Sequence, residues 1–391
     1  MFQKTPETAP PPPATSKRLS IGTVVFTEPC LLKLANDVKF TQRTPRKIDG
    51  VNLLAALGAE CLRGSPSCND LASQMQTISG GAPSRQAVNR RLNQAFKNIL
   101  QRLLEKVIGE KLVWNGSPQA KTPHPFRGYR RVLVQDSTII KLPSRLCADF
   151  SGVSNAQASV CHARIQATCN LIDSRLVGFS NDPYSKNDQA TAPELPLQNG
   201  DLVLRDRGYL VLDEIQRHRP AGADCIYRHQ TGTIYLDPQT LDPIDLPAQF
   251  KGRGQLDREV LLNNEARTRV RLVTAPVDAA TANLRRMKAK KETRGPPPSQ
   301  AVLELMDWTI FITTIPATLA GFQEILARWR IEIIFKAWKS HVKFPLLHRV
   351  SKLQAAILLK ARLLIITACT NLGLGPLARM LLQNYDRRLS L

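Results

Sequence analysis

Acidic residues are scarce in this chain. Its 391 residues carry 32 Asp and Glu against 54 Lys and Arg, a formal charge of +22 with a pI near 10.0. That imbalance points to a polyanionic partner, nucleic acid first and an anionic membrane surface second. Long apolar runs are missing too. The most apolar stretch, Leu353 to Leu374, holds Lys360 and Arg362 near its middle. It therefore reads as a buried C-terminal helix, and no membrane partner is expected. The eight cysteines include no C-x-x-C pair, and no histidine pair completes a zinc pattern. They read as reduced thiols of a cytoplasmic protein. No solenoid-length repeat is present. Residues 1–20 lack the apolar centre of a signal peptide and read as a disordered, proline-rich tail. With 43% hydrophobic and 22% charged residues, the remaining composition is globular.

Residues 21–125 read as a helical region. Leu53, Leu54, Leu57 and Cys61 recur at helical spacing. NDLASQMQTIS follows, with Asn69 or Asp70 placed to cap a short helix, and SGGAPS makes a turn. Ser84 then caps a helix running through RQAVNRRLNQAFKNILQRLLEKV. A short helix, a glycine turn and a helix opening with Arg85, Gln86, Asn89, Arg90 and Arg91 resemble a helix-turn-helix. Arg85, Gln86, Asn89 and Arg90 are candidate base readers. A plain bundle with a solvated basic face accounts for the same pattern.

The texture changes at Arg131. RVLVQDSTIIKLP reads as a strand with Asp136 in its middle, and HARIQATCNLID and SRLVGFSND as two more. A helix is expected within Asn187–Leu197. DLVLRDRGY gives a fourth strand ending on Asp206, followed by a helix from about Leu210 to His218. The series predicts a mixed α/β sheet over 126–221. Residues 222–300 read as a β-rich insertion, built on CIYRHQTGTIYL, REVLLN and TRVRLVTAP. It closes with the basic run Arg285, Arg286, Lys288, Lys290, Lys291 and Arg294, either a second DNA contact or a solvated linker. In 301–391, MDWTIFITTIP is a buried-strand signal, a long helix is expected over 317–344, and C-terminal helices complete the chain.

Three acids bear on chemistry: Asp136, Asp206 and Glu332. Carboxylates hold Mg²⁺, and paired ions bridge the attacking and leaving oxygens of phosphoryl transfer. An acid inside VLVQDST is costly unless solvated, paired or metal-bound. Asp206 ends a strand, where ligand sites of α/β sheets gather. A polar cap and a strand-end turn are the structural alternatives. In ARWRIEIIFKAWKSHVKF, Arg328, Glu332, Lys336 and Lys339 fall within roughly an 80° arc at 100° per residue. That face is either a salt-bridged solvent surface or a phosphate- and metal-binding one.

These residues resemble the DDE transposases of bacterial insertion sequences, the type 4 group. Its signature is tyrosine, two residues, arginine, three residues, glutamate, six residues, lysine. Arg328, Glu332 and Lys339 match it, and Ile325 stands at the tyrosine position. Asp136 in DST and Asp206 in DRG match the first two acids. The resemblance implies a ribonuclease-H-like catalytic core, with a β-rich insertion in the 126-residue gap (332 − 206) between the last two acids. It implies that Asp136, Asp206 and Glu332 hold Mg²⁺, with Mn²⁺ able to substitute, and that Arg328, Lys336 and Lys339 position phosphates. It also implies a bacterial, nucleoid-associated protein that works as a homodimer on inverted repeats and target DNA. The expected reaction is metal-dependent cleavage at the ends and strand transfer by a cut-and-paste route. Trp308 falls where relatives stack a tryptophan on a flipped base; anchoring WTIFIT in the core is its alternative role. The competing function is a DNA-binding remnant that recognises ends without cutting, and Ile325 is the motif-level hint for it.

Overall fold

A computed structural model of the protein describes residues 27–41, 48–64, 66–109, 128–152, 161–172, 175–186, 194–252, 254–293, 295–316 and 351–374. Five helices come first: α1 (Glu28–Asp37), α2 (Gly50–Arg63), α3 (Cys68–Ser79), α4 (Arg85–Arg91) and α5 (Gln94–Gly109). Side-chain caps set their limits. Ser67, not Asn69 or Asp70, caps α3; Asp70 sits at the third helical position and its carboxylate accepts from the Ser67 amide, closing a capping box. Ser84 caps α4 as its sequence context predicts. The single helix expected from Arg85 is two, because Asn93 breaks it. The Asn93 side-chain oxygen accepts from the Phe96 amide and starts α5 afresh.

Among the described residues, nine strands, numbered in chain order, form one mixed sheet in the order β3-β2-β1-β4-β5-β9-β8-β7-β6. The first four are β1 (Arg131–Lys141), β2 (His162–Asn170), β3 (Arg175–Pro183) and β4 (Asp201–Arg205). After β4 come a one-turn helix α6 (Leu212–Ile215) and β5 (Asp224–Arg228). Strand β1 runs antiparallel to β2 and parallel to β4, and β4 runs parallel to β5. Of the helix expected within Asn187–Leu197, positions 187–193 lie outside the described residues, and Glu194–Leu197 is irregular.

The strands of the 222–300 region extend this same sheet. They are β6 (Tyr235–Leu236), β7 (Leu256–Leu262) and β8 (Arg269–Pro276), with α7 (Leu246–Phe250) between β6 and β7. The basic run from Arg285 to Lys291 lies on a helix, α8 (Ala279–Glu292), capped by Asp278, whose carboxylate accepts from the Thr281 amide; Arg294 lies outside the described residues. Helix α9 (Gln300–Leu305) leads to β9 (Trp308–Thr313), which pairs antiparallel with both β5 and β8 and so joins the two halves.

Alternation along the strands sorts the core. Val132, Val134, Leu202, Leu204, Ile226 and Phe311 cluster on one face. Leu133, Val203, Cys225, Tyr227, Ile310 and Ile312 cluster on the other. All five residues of β4 are buried, as expected of a parallel strand covered on both faces. A third cluster joins the N-terminal helices to β2 and β3 through Leu53, Leu100, Leu103, Ile165 and Leu176.

Helix α10 (Lys352–Ala368) completes that layer against α5 and α2. Lys352–Asn371 is long and apolar enough to cross a membrane by composition, yet here it packs as a core helix. Arg362, fully buried, donates to the Gly64 carbonyl at 2.8 Å, and Lys360 donates to the Gln101 side chain. Both cations thus meet protein partners.

Candidate active site

Strand β4 stops before β1 does. The last paired positions are Gln135 and Arg205; β1 continues to Lys141 beside β2 alone. A notch opens where the β4 chain leaves the sheet, at the carboxyl end of its parallel strands. Asp136 and Asp206 are the next residues on either side of it. Asp206 keeps an extended backbone (φ −74°, ψ 167°), so the register carries over to it. Neighbouring strands lie about 4.8 Å apart, and side chains at matching positions share a face. The phase running Val132, Val134, Asp136 equals that of Leu202, Leu204, Asp206, so the two acids extend one apolar face.

The Asp136 carboxylate accepts from the Ser137 amide at 2.7 Å. Asp206 Oδ1 is buried and accepts no hydrogen bond; Arg228 Nη1 stands 3.7 Å from it. Two adjacent oxygen-donor side chains, one with an orphaned buried oxygen, suit a hard divalent cation. Among the described residues no group of three metal-ligating side chains occurs. Glu332, Arg328, Lys336, Lys339 and Ile325 all lie outside the described residues.

Asp206 also lines an open cavity of about 770 Å³ with Trp308, Arg207, Arg228, Arg285 and Lys288. Trp308, the first residue of β9, is half-buried and packs on Phe250, ring centroids 4.8 Å apart. Anchoring and facing the cavity are thus combined in one ring. Arg285 is fixed from α8 by donating to the Trp308 carbonyl at 2.9 Å. Burial, then the Arg228 guanidinium, pulls Arg285 below the ordinary arginine value; Arg207 acts in the same direction. His229, on the same wall, pairs through Nδ1 with the Tyr235 hydroxyl at 2.8 Å, and burial lowers its pKa to about 4. It is neutral at pH 7.

The four candidate base readers share the exposed side of α4. Arg85, Gln86 and Asn89 line a second cavity, about 870 Å³, between α3, α4 and α10. Asn89 is committed within the protein: its Oδ1 accepts from Gln354 Nε2 at 2.6 Å. Arg91 points inward, stacked 4.6 Å from the Phe40 ring centre and donating to the Phe40 and Ile48 carbonyls. The cations beside Asp206 were only partly legible. Arg207 flanks the acid in RDRG, and Arg285 and Lys288 lie in the basic run, but nothing in IYRHQ marks Arg228.

An acid pair at a parallel-strand notch, beside a cationic cavity in a strongly basic chain, is the architecture of an enzyme acting on a polyanion. Comparison with known proteins agrees. Residues 127–369, more than half of the chain, match the family model described as the transposase DDE domain, and the chain belongs to that family. It is a DNA transposase, and the family uses divalent metal ions. The transposase for insertion sequence element IS231D of Bacillus thuringiensis subsp. finitimus is 24% identical over 93% of this chain and 80% of its own length. That for IS1151 of Clostridium perfringens is 21% identical over 81% of this chain and 72% of its own. Among solved structures, a piggyBac transposase synaptic complex with hairpin DNA overlaps 91% of this chain and 74% of its own, at 8% identity and a TM-score of 0.45.

Proposed function

We propose that this transposase cuts insertion-sequence ends and joins them to target DNA by a cut-and-paste route, using Asp136, Asp206 and Glu332 on a ribonuclease-H-like core. The observation that carries this reading is the side-by-side placement of Asp136 and Asp206 beyond the last paired residues of β1 and β4. Glu332 joins them through the matched C-terminal signature. The three carboxylates would hold Mg²⁺, which acidifies an attacking water and steadies charge on phosphoryl oxygens when bound. The rest is placement by the chain itself. Arg328, Lys336 and Lys339 hold backbone phosphates. Trp308, held on Phe250, offers its cavity side to a base drawn from the duplex end. Arg85, Gln86, Asn89 and Arg90 on α4 supply end recognition in a helical DNA-binding region, since phosphate contacts carry no sequence information. Joining two ends calls for a homodimeric synaptic complex.

The test takes as substrate the short inverted repeats to be sought in the DNA flanking the gene. Purified protein is incubated with repeat-bearing DNA and Mg²⁺ or Mn²⁺, beside Glu332→Gln, and nicks, hairpins and joined products are resolved. Metal-dependent cutting and joining, lost in Glu332→Gln, is the expected result. Salt-sensitive binding without cutting, under conditions where a control transposase cuts, would overturn it in favour of an end-binding remnant.

A further inference from the structure

We propose that Arg228 is an exchangeable counter-ion: it covers Asp206 in the free protein and moves to a DNA phosphate when the substrate enters, so that the second acid is released only with DNA in place. This deepens the catalytic reading above and rests on it. The first support is the quality of the ion pair. Arg131–Asp201, Arg258–Asp237, Arg269–Glu259 and Arg271–Asp257 are all hydrogen-bonded, with distances of 2.5 to 2.8 Å. Arg228 and Asp206 stand 3.7 Å apart, beyond hydrogen-bond reach, and Oδ1 of Asp206 stays unsatisfied. The pair lies at a site that is neither fully wet nor fully buried, with side chains 28% and 39% exposed. Attraction there is real, and no fork geometry locks it.

The second support is the charge count of the cavity. Arg207, Arg228, Arg285 and Lys288 line it, and among the described residues Asp206 is its one acidic lining residue. Arg207 makes no side-chain ion pair or hydrogen bond among the described residues. Like charges gathered this closely repel one another, and an incoming phosphodiester relieves that repulsion. The third support is placement. Arg205 pairs in register with Tyr227, so Asp206 and Arg228 occupy the next step on neighbouring parallel strands. The phase from Ile226 to Arg228 puts the guanidinium on the same face as both acids. Rotating its long side chain from carboxylate to phosphate needs no backbone movement.

Removing the cation should therefore do two opposite things. Arg228→Ala should strengthen Mn²⁺ binding to the DNA-free protein at least threefold, read by electron paramagnetic resonance or calorimetry. The gain should vanish in Arg228→Ala/Asp206→Asn. The same variant should flatten the salt dependence of end-DNA binding by about one unit of log–log slope, one lost phosphate contact. Arg228→Lys should restore the slope, and circular dichroism checks that each variant is folded. Unchanged or weaker Mn²⁺ binding, or an unchanged slope, overturns the proposal while leaving the cutting assay of the wild type to judge the catalytic reading. No Asp206-dependent Mn²⁺ binding in either protein overturns both.

Discussion

Asp201 and Asp206 stand at opposite ends of β4, each beside an arginine of a neighbouring strand. Asp201 is fully buried. Arg131 grips both of its oxygens at 2.7 and 2.5 Å, and the Gln198 amide adds a third bond at 2.8 Å. Asp206 keeps one oxygen without a hydrogen bond and an arginine at arm's length. The residue types are identical; the difference is the sheet around them. At Asp201 the strands are in register and the pair is walled in. At Asp206 the sheet has just opened. A satisfied carboxylate rigidifies the fold, whereas an unsatisfied one keeps its capacity for a ligand.

Exchanging each for its amide should separate the two roles. Asp206→Asn should bring the largest change, with cutting of end DNA falling to the metal-free background while the melting temperature holds or rises. A clear loss of stability would place Asp206 with Asp201. Asp201→Asn should do the reverse: unfolding free energy falls by about 2 kcal/mol, because the fully buried side chain loses its charge-assisted bonds to the partly exposed Arg131. Cutting per folded molecule should persist, as denaturant titration beside the cleavage assay will show.

The comparison can be sharpened away from the sheet. Gln86→Ala should weaken binding to the inverted repeat by about 1–3 kcal/mol and leave random duplex unchanged. Equal loss on both would make α4 a phosphate contact rather than a reader. A further test concerns pH. His229 titrates near 4 in the folded protein, below the 6.5 of an exposed imidazole. The unfolded chain therefore takes the proton first, and stability is lost as pH falls from 6.5 towards 4. In His229→Gln that part of the slope should disappear from melting curves run across the range. Since burial lowers His218 as well, the difference between wild type and variant is the quantity to read.

Much of the site was already spelled in the strands. Val132-x-Val134-x-Asp136 and Leu202-x-Leu204-x-Asp206 repeat one pattern, an apolar alternation ending on an acid. Matching phases place both carboxylates on one face once the strands pair. The pairing itself was not spelled, because β1 and β4 are separated by two strands and a long connection. Helix limits fared less well. Asn93 fits the helical periodicity around it, yet its side chain restarts the chain as α5. Polarity hides the helical nature of 279–292: few apolar residues mark a face, and the cap Asp278 is its one local signal.

Charge, strand phase and the spacing of Arg328, Glu332 and Lys339 are properties of the chain as written, and the resemblance to DDE transposases that they carry pointed to a metal-dependent enzyme of DNA. Neighbours are not written in the chain. That Arg131 locks Asp201 while Arg228 only approaches Asp206 depends on where β4 ends relative to β1 and β5. The extension of the sheet through β9, which brings Trp308 and Arg285 to the second acid, is likewise a long-range pairing. Local sequence fixes what a side chain can donate or accept. Only the packed sheet decides which partner it meets and how much water remains beside it.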